Sequence, residues 1–122
     1  MPATRRATGQ QMEQLASRYL RKQGLQVLEN NYYSKRGEID LICRDGDTLV
    51  FVEVRFRKSD GLTSGAESIT PTKTRRIIHT AQCYLQQHAL WQMPCRFDVV
   101  DISRSSLGRH HIHWIANAFD TT

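Results

Sequence analysis

The sequence predicts an α/β fold in which a mixed central β-sheet of about five strands is flanked by helices, in the order α-β-β-β-α-β-β. Two segments carry apolar residues at the spacing of one helical face, and five others are rich in strand-forming residues. A short turn joins the second and third strands, whereas a helix separates the third strand from the fourth. This combination is typical of a mixed sheet with a helix on each face.

The first helix is predicted to begin at Gly9 and to end at Gly24, a residue type common just beyond a helix. Residues 1–8 are predicted to form a flexible basic arm. The following segment, 25–33, predicts the first strand, and Lys35-Arg36-Gly37 predicts a turn. The buried face of the helix would carry residues at helical offsets: Met12, Leu15, Ala16, Tyr19 and Leu20.

A β-hairpin is predicted at the centre of the chain. Strands 38–44 and 49–57 flank Asp45-Gly46-Asp47-Thr48, which is a strong turn signal. The polar, glycine-containing segment 58–68 predicts a mobile loop. Thr70-Pro71 then opens the second helix, with threonine as N-cap and proline at the first helical position. Two further strands complete the order, at 96–102 and 112–119.

Length and composition indicate one domain, over residues 9–120. The chain has 122 residues, of which 39% are hydrophobic and 24% charged, as in globular proteins. No segment approaches the roughly 20 apolar residues of a membrane-spanning helix, and no apolar block resembles a secretory signal. The three cysteines are widely spaced, which favours reduced thiols. We therefore expect a cytoplasmic protein with no membrane partner.

The net charge is +5, from 17 Lys and Arg against 12 Asp and Glu. Such an excess indicates an anionic partner, without distinguishing nucleic acid from acidic lipid or acidic protein. Three basic residues, Lys73, Arg75 and Arg76, lie in the first turns of the second helix, where they oppose the helix dipole unless an anion binds nearby. They predict either phosphate contacts or a solvated face, and Arg57 and Lys58 would extend the same basic rim.

The central hairpin is predicted to place two acids together on one strand face, unless its loop has three residues and no bulge restores the alternation. A four-residue loop puts Asp40 directly opposite Glu53, whereas a two-residue turn at Asp45-Gly46 puts Glu38 there, with Asp40 as diagonal neighbour. The other face of the first strand is predicted to be apolar and buried, with Ile39, Leu41 and Cys43.

Paired carboxylates on facing strands repel unless a cation joins them. A hard divalent ion such as Mg²⁺ prefers carboxylate oxygens and water, and it can activate an attacking water beside a phosphodiester. The pattern Asp40…Glu53-Val54-Arg55 therefore favours metal-dependent phosphoryl chemistry. The alternative is a solvated hairpin face whose acids are balanced by nearby arginines.

Several motifs together resemble one known family. The central ones are 37–42 (GEIDLI) and 49–55 (LVFVEVR), with 96–100 (RFDVV) and 117–119 (NAF) near the end of the chain. In order and spacing they resemble the YraN-like family of small bacterial proteins. That family is similar in turn to the restriction-endonuclease-like, PD-(D/E)xK nuclease superfamily and to archaeal Holliday-junction resolvases. The resemblance implies a restriction-endonuclease-like core.

The resemblance also implies site residues. Asp40 and Glu53 would bind Mg²⁺ or Mn²⁺, together with the Val54 carbonyl, and Glu13 on the first helix would add a third acid. Arg55 stands where the superfamily usually has lysine. Because arginine stays charged, it would position a water or the scissile phosphate but would not act as a general base.

Three functions remain open from the sequence. The first is a divalent-metal-dependent endonuclease acting on structured or branched DNA, with Asp40, Glu53 and Arg55 as its catalytic residues. The second is a nucleic-acid-binding module that keeps the nuclease fold without cleavage. The third is a scaffold whose basic face binds an acidic protein. A homodimer would suit recognition of a DNA junction.

Overall fold

The structure, a computed structural model, describes residues 5–58, 69–105 and 107–120. Most of the predicted arm and loop (residues 1–4 and 59–68) lies outside them. The first helix begins at Arg5, four residues before the predicted start at Gly9. The predicted order of elements is confirmed: α1 (Arg5–Lys22), β1 (Gln26–Tyr33), β2 (Glu38–Asp45), β3 (Thr48–Lys58), α2 (Pro71–Gln87), β4 (Cys95–Arg104) and β5 (His110–Phe119).

The five strands form one mixed sheet in the order β1-β2-β3-β4-β5. All neighbours are antiparallel except β3 and β4, which run parallel. A parallel pair needs a long crossover, and α2 supplies it between these two strands. The fold is therefore the predicted mixed α/β architecture. Within the described part of the chain, neither helix has the length and apolar content to cross a membrane.

Helix α1 covers one face of the sheet. Its predicted apolar face is confirmed, because Met12, Ala16 and Leu20 are buried while Leu15 and Tyr19 pack beside them. These side chains contact the sheet residues of the same cluster, which are Leu41, Cys43, Val50, Val52, Val100 and Ile102. The periodicity of the helix thus fixes which of its sides faces the strands.

Helix α2 covers the opposite face through Ile77, Ala81 and Tyr84. Thr70 is its N-cap and accepts a hydrogen bond from the Lys73 amide, with Pro71 next, as predicted. The sheet residues buried beneath α2 are Ile39, Ile42, Leu49, Phe51 and Phe97.

The register of the central hairpin is the predicted one that opposes Asp40 and Glu53. Arg44 pairs with Leu49, and the strand pairing continues one step further to Asp45 and Thr48. The alternative register, with a turn at Asp45-Gly46, is wrong.

The prediction for Ile39 is also wrong, because this side chain packs under α2 and not with Leu41 and Cys43. It lies beyond the last residue of β2 that pairs with β3, where β2 pairs with β1 alone. The prediction assumed regular alternation along the whole strand, and the change of face occurs where β2 no longer pairs with β3.

Candidate functional site

The site forms where β2 separates from β3. Pairing between these strands ends at Leu41 and Val52, and Asp40 and Glu53 are the next residues along. The Val54 amide donates its hydrogen to Asp40 Oδ2 at 2.8 Å, so a side-chain carboxylate accepts the bond. Asp40 and Glu53 are only 8% and 7% exposed. The split in the sheet thus buries two acids side by side.

Helix α1, which covers the face of the sheet opposite to α2, adds a third acid, Glu13. The charges of its half-buried carboxyl and of Asp40 interact, while the side chain of Asn31 favours the ionised form of Glu13 and so lowers its pKa. Asn31 lies in β1 with φ = 54°, a left-handed conformation that asparagine tolerates better than most residues. We call Glu13, Asp40 and Glu53 the acid cluster.

Burial, followed by the proximity of other carboxyls, favours the protonated forms of Asp40 and Glu13. Burial and then the negative charge of Glu53 raise the pKa of Asp40 to about 8, against the opposing effect of the Val54 hydrogen bond. Burial and then the charge of Asp40 raise the pKa of Glu13 to about 7. A group of acids that resists ionisation near neutral pH is one that a cation would stabilise.

A cation from α2 already contacts the cluster. Lys73 Nζ lies 3.2 Å from Glu53 Oε1, in an ion pair whose lysine side chain is 39% exposed. Lys73 was predicted as a phosphate contact, and the structure places it directly against the acid cluster. The residue is therefore positioned between the acids and solvent.

The acids Asp40 and Glu53 line an open cleft of about 390 Å³ together with Lys73, Arg76 and Arg36. A neighbouring groove of about 510 Å³ shares Arg36, Thr72 and Arg76 with this cleft. The other side chains of that groove, which we call the α2 groove, are Lys35, Arg75 and His79. Acidic and basic surfaces therefore meet at the edge of one opening.

Gly37 permits this arrangement through close packing. A Cβ atom at this position would lie 3.3 Å from Arg76 Cβ and 3.4 Å from Thr80 Oγ1. The β1–β2 turn is also tied to α2 by a 2.7 Å hydrogen bond between the hydroxyls of Ser34 and Thr80. The turn that carries Arg36 is thereby held against the helix that carries Arg76.

The donor chemistry of the acid cluster fits a hard divalent cation, since its groups are carboxylates that repel one another. Among the residues that the structure describes, however, no three His, Cys, Asp or Glu side chains lie close enough together to bind one metal ion. Metal binding would therefore require the three acids to converge and Lys73 to leave Glu53.

The remaining basic candidates, Arg55, Arg57 and Lys58, lie on β3. Arg57 forms a two-pronged ion pair with buried Asp101 of β4, with Nη2 at 2.6 Å and Nε at 3.2 Å. Arg55 is half-buried on β3 and is not among the described residues that line the cleft. Lys58 ends β3, and its side chain lies outside the described part of the chain.

Asp98 is a structural acid and stands apart from the cluster. It is fully buried and accepts hydrogen bonds from Arg96 Nε, Trp114 Nε1 and the Asn117 amide, at 3.1, 2.8 and 2.9 Å. These contacts join β4 to β5, so the charge of Asp98 is satisfied within the fold.

Sequence reasoning missed two contributors to the site. Arg36 was assigned only to a turn, and Asn31 only to a strand, because their roles depend on contacts with α2 and α1. The one signal for Arg36 in the sequence was its place in a basic pair, which lies in a predicted turn just before a strand with two acidic residues.

Comparison with known proteins agrees with the motifs. The profile of "Uncharacterised protein family UPF0102" matches residues 12–102. A UPF0102 protein of Nitrosococcus oceani is 48% identical over 119 residues, which cover 97% of this chain and 95% of that protein. UPF0102 proteins of Pseudomonas aeruginosa and Vibrio campbellii are each 47% identical over 117 residues, 94% of this chain. The chain therefore belongs to the UPF0102 family, the YraN-like family that its motifs indicate.

Proposed function

We propose that this protein is a divalent-metal-dependent endonuclease acting on structured or branched DNA. The observation that supports the proposal is the buried pair of Asp40 and Glu53 at the point where the sheet opens, with Glu13 of α1 interacting with Asp40. Two buried carboxylates beside a basic groove suit a metal ion and a phosphodiester in the same cleft, with Glu13 available as a third ligand.

The acid cluster would hold Mg²⁺ or Mn²⁺, which supplies a nucleophilic water and neutralises charge that develops on phosphate. The Val54 carbonyl is a further candidate ligand. Its amide points to Asp40, and the N–H and C=O of one strand residue face the same neighbouring strand. The strand backbone therefore presents an oxygen to the same opening as the carboxylates.

The basic residues around the cleft would hold the DNA backbone. Arg36, Arg75 and Arg76 line the α2 groove and offer guanidinium groups, which bind phosphate in a two-pronged manner. Lys73 would leave Glu53 for the substrate's phosphate once a metal ion neutralised the acids. Arg55 would remain a positioning cation, since it does not release a proton.

The deciding experiment is cleavage of labelled four-way junction, flap and duplex DNA in the presence of Mn²⁺. The wild type is expected to cut, and Asp40→Asn is expected to lose at least about a hundredfold in rate, as when a charge-stabilising group is removed from an active site. Asp47→Asn is the matched control, because Asp47 lies at the tip of the hairpin with its side chain 98% exposed. Equal cleavage by wild type and Asp40→Asn would contradict the proposal.

A second candidate function is nucleic-acid binding without cleavage. The Lys73–Glu53 ion pair favours it, because an internal cation at the acid cluster makes a metal ion unnecessary. This version expects salt-sensitive DNA binding that is unchanged by EDTA and by Asp40→Asn. All three cysteines are free thiols, in keeping with a cytoplasmic setting for either function.

A further inference from the structure

A groove between α1 and β1 adjoins the acid cluster on the side away from α2. It has a volume of about 510 Å³, and its lining includes Glu13, which interacts with Asp40. The α2 groove adjoins the same acids through the cleft that holds Lys73 and Arg76. The acid cluster therefore adjoins two polar grooves, one beside each helix.

The chemistry of the α1–β1 groove suits a phosphodiester backbone. Arg18 and Arg21 lie three residues apart on α1 and both line the groove, so they project from one side of the helix. The amides of Gln14 and Asn30, which also line the groove, can donate hydrogen bonds to phosphate or sugar oxygens. Glu13 is the one acidic residue among the described residues that line this groove, and it interacts with Asp40.

An ordinary structural role explains only part of this pattern. Arg21 lies in the last turn of α1, where a cation interacts favourably with the helix dipole. Arg18 lies a turn earlier, where that effect has weakened, yet it lines the same groove. Two arginines and several amides around one opening therefore have the composition of a site for an anionic chain.

We propose that the α1–β1 groove is a second phosphate-binding site, which holds the nucleic-acid backbone on the opposite side of the acid cluster from the α2 groove. This inference rests on the proposed function and deepens it. A nucleic-acid strand bound in both grooves would cross the acid cluster, and its sugar-phosphate backbone would continue on both sides of the acids. The phosphodiesters presented to Asp40 and Glu53 are then internal ones, so strand ends are not required for recognition.

The test measures binding of a fluorescein-labelled four-way junction by anisotropy, in EDTA and over a series of salt concentrations. The double variant R18Q/R21Q is expected to weaken binding about tenfold and to reduce the salt slope by about two, one for each phosphate that no longer meets a guanidinium. R18K/R21K keeps both charges and is expected to retain most of the affinity. The matched control R44Q/R109Q removes two charges, one near the end of β2 and one from the β4–β5 turn, and is expected to leave the slope unchanged.

The outcomes separate this inference from the proposed function. If the wild type binds no junction at low salt, the proposed function fails. If R75Q/R76Q weakens binding but R18Q/R21Q does not, the α2 groove stands and the second site is refuted. Equal weakening by R44Q/R109Q and R18Q/R21Q also refutes it, since only net charge then matters. Should the double variant unfold by circular dichroism, single R18Q replaces it, with an expected slope change of about one.

Discussion

Lys73 Nζ on α2 lies 3.2 Å from Glu53 Oε1 on β3, and this ion pair gives the acid cluster a cation of its own. Glu53 is buried while the lysine side chain is 39% exposed. The lysine is therefore the more exposed partner and lies on the solvent side of the pair. A divalent ion and Lys73 would compete for the same oxygen, and this competition can be measured.

Replacing Lys73 with methionine should make the fold depend more on divalent ions. Without Mg²⁺, the free energy of unfolding should fall by about 1–2 kcal/mol, because Glu53 loses its counter-ion. The decrease is smaller than the roughly 3–5 kcal/mol of a fully enclosed pair, since Lys73 is partly exposed. Saturating Mg²⁺ should stabilise Lys73→Met more than the wild type, because no internal cation competes. Urea unfolding with EDTA or Mg²⁺ measures both effects.

Lys73→Arg keeps the charge and serves as the control, with an expected stability within about 0.5 kcal/mol of the wild type. If Lys73→Met matches the wild type in EDTA and responds equally to Mg²⁺, the ion pair has no part in neutralising the acids.

Stability should fall as pH rises from 5 to 9. Folded Asp40 and Glu13 keep their protons up to about pH 8 and about pH 7, whereas an unfolded chain loses them near pH 4. Between these limits the unfolded state binds fewer protons, so the free energy of unfolding decreases with pH. We expect a decrease of at least about 1.4 kcal/mol, the equivalent of one pKa unit. Urea unfolding in EDTA at pH 5, 7 and 9 measures it.

Asp40→Asn should flatten this pH dependence, since asparagine does not titrate, while Asp47→Asn should follow the wild type. This prediction would be contradicted if the wild-type stability is level or rises between pH 5 and 9. It would also be contradicted if Asp40→Asn shows the same dependence of stability on pH as the wild type, because ionising these acids would then not destabilise the fold.

Asp98→Ala should destabilise the fold without involving the cleft. It leaves Arg96 Nε, the Trp114 ring nitrogen and the Asn117 amide without their acceptor, while Arg96 Nη1 keeps its ion pair with Asp45, at a cost of about 3–5 kcal/mol in urea unfolding. Exposed Asp47→Ala should cost less than about 0.5 kcal/mol. A folded Asp98→Ala with wild-type stability but no metal binding would instead assign Asp98 to the acid cluster.

Local sequence was sufficient for the order of the elements, and it predicted the pairing of Asp40 with Glu53 as one of two registers. The periodicity of α1, the Thr70-Pro71 start of α2 and the turn signal at Asp45-Gly46-Asp47-Thr48 each act over a few residues. The central register still needed the structure, because one turn sequence supports more than one loop length.

Contacts between distant elements were not predictable in the same way. The Arg57–Asp101 pair depends on the parallel register of β3 and β4, which no turn fixes. The Lys73–Glu53 pair depends on how α2 docks against the sheet, with Gly37 allowing the close approach. Side chains that looked like a solvent-facing basic rim are therefore partly engaged by acids within the fold.

The most direct test of the acid cluster as a metal centre is calorimetric titration with Mn²⁺, comparing the wild type with Asp40→Asn and the matched control Asp47→Asn. We expect one Mn²⁺ site per chain in the wild type and in Asp47→Asn, and its loss in Asp40→Asn, because Asp40 interacts with both of the other acids. Absence of Mn²⁺ binding by the wild type, or equal binding by all three proteins, would contradict a metal centre at this position.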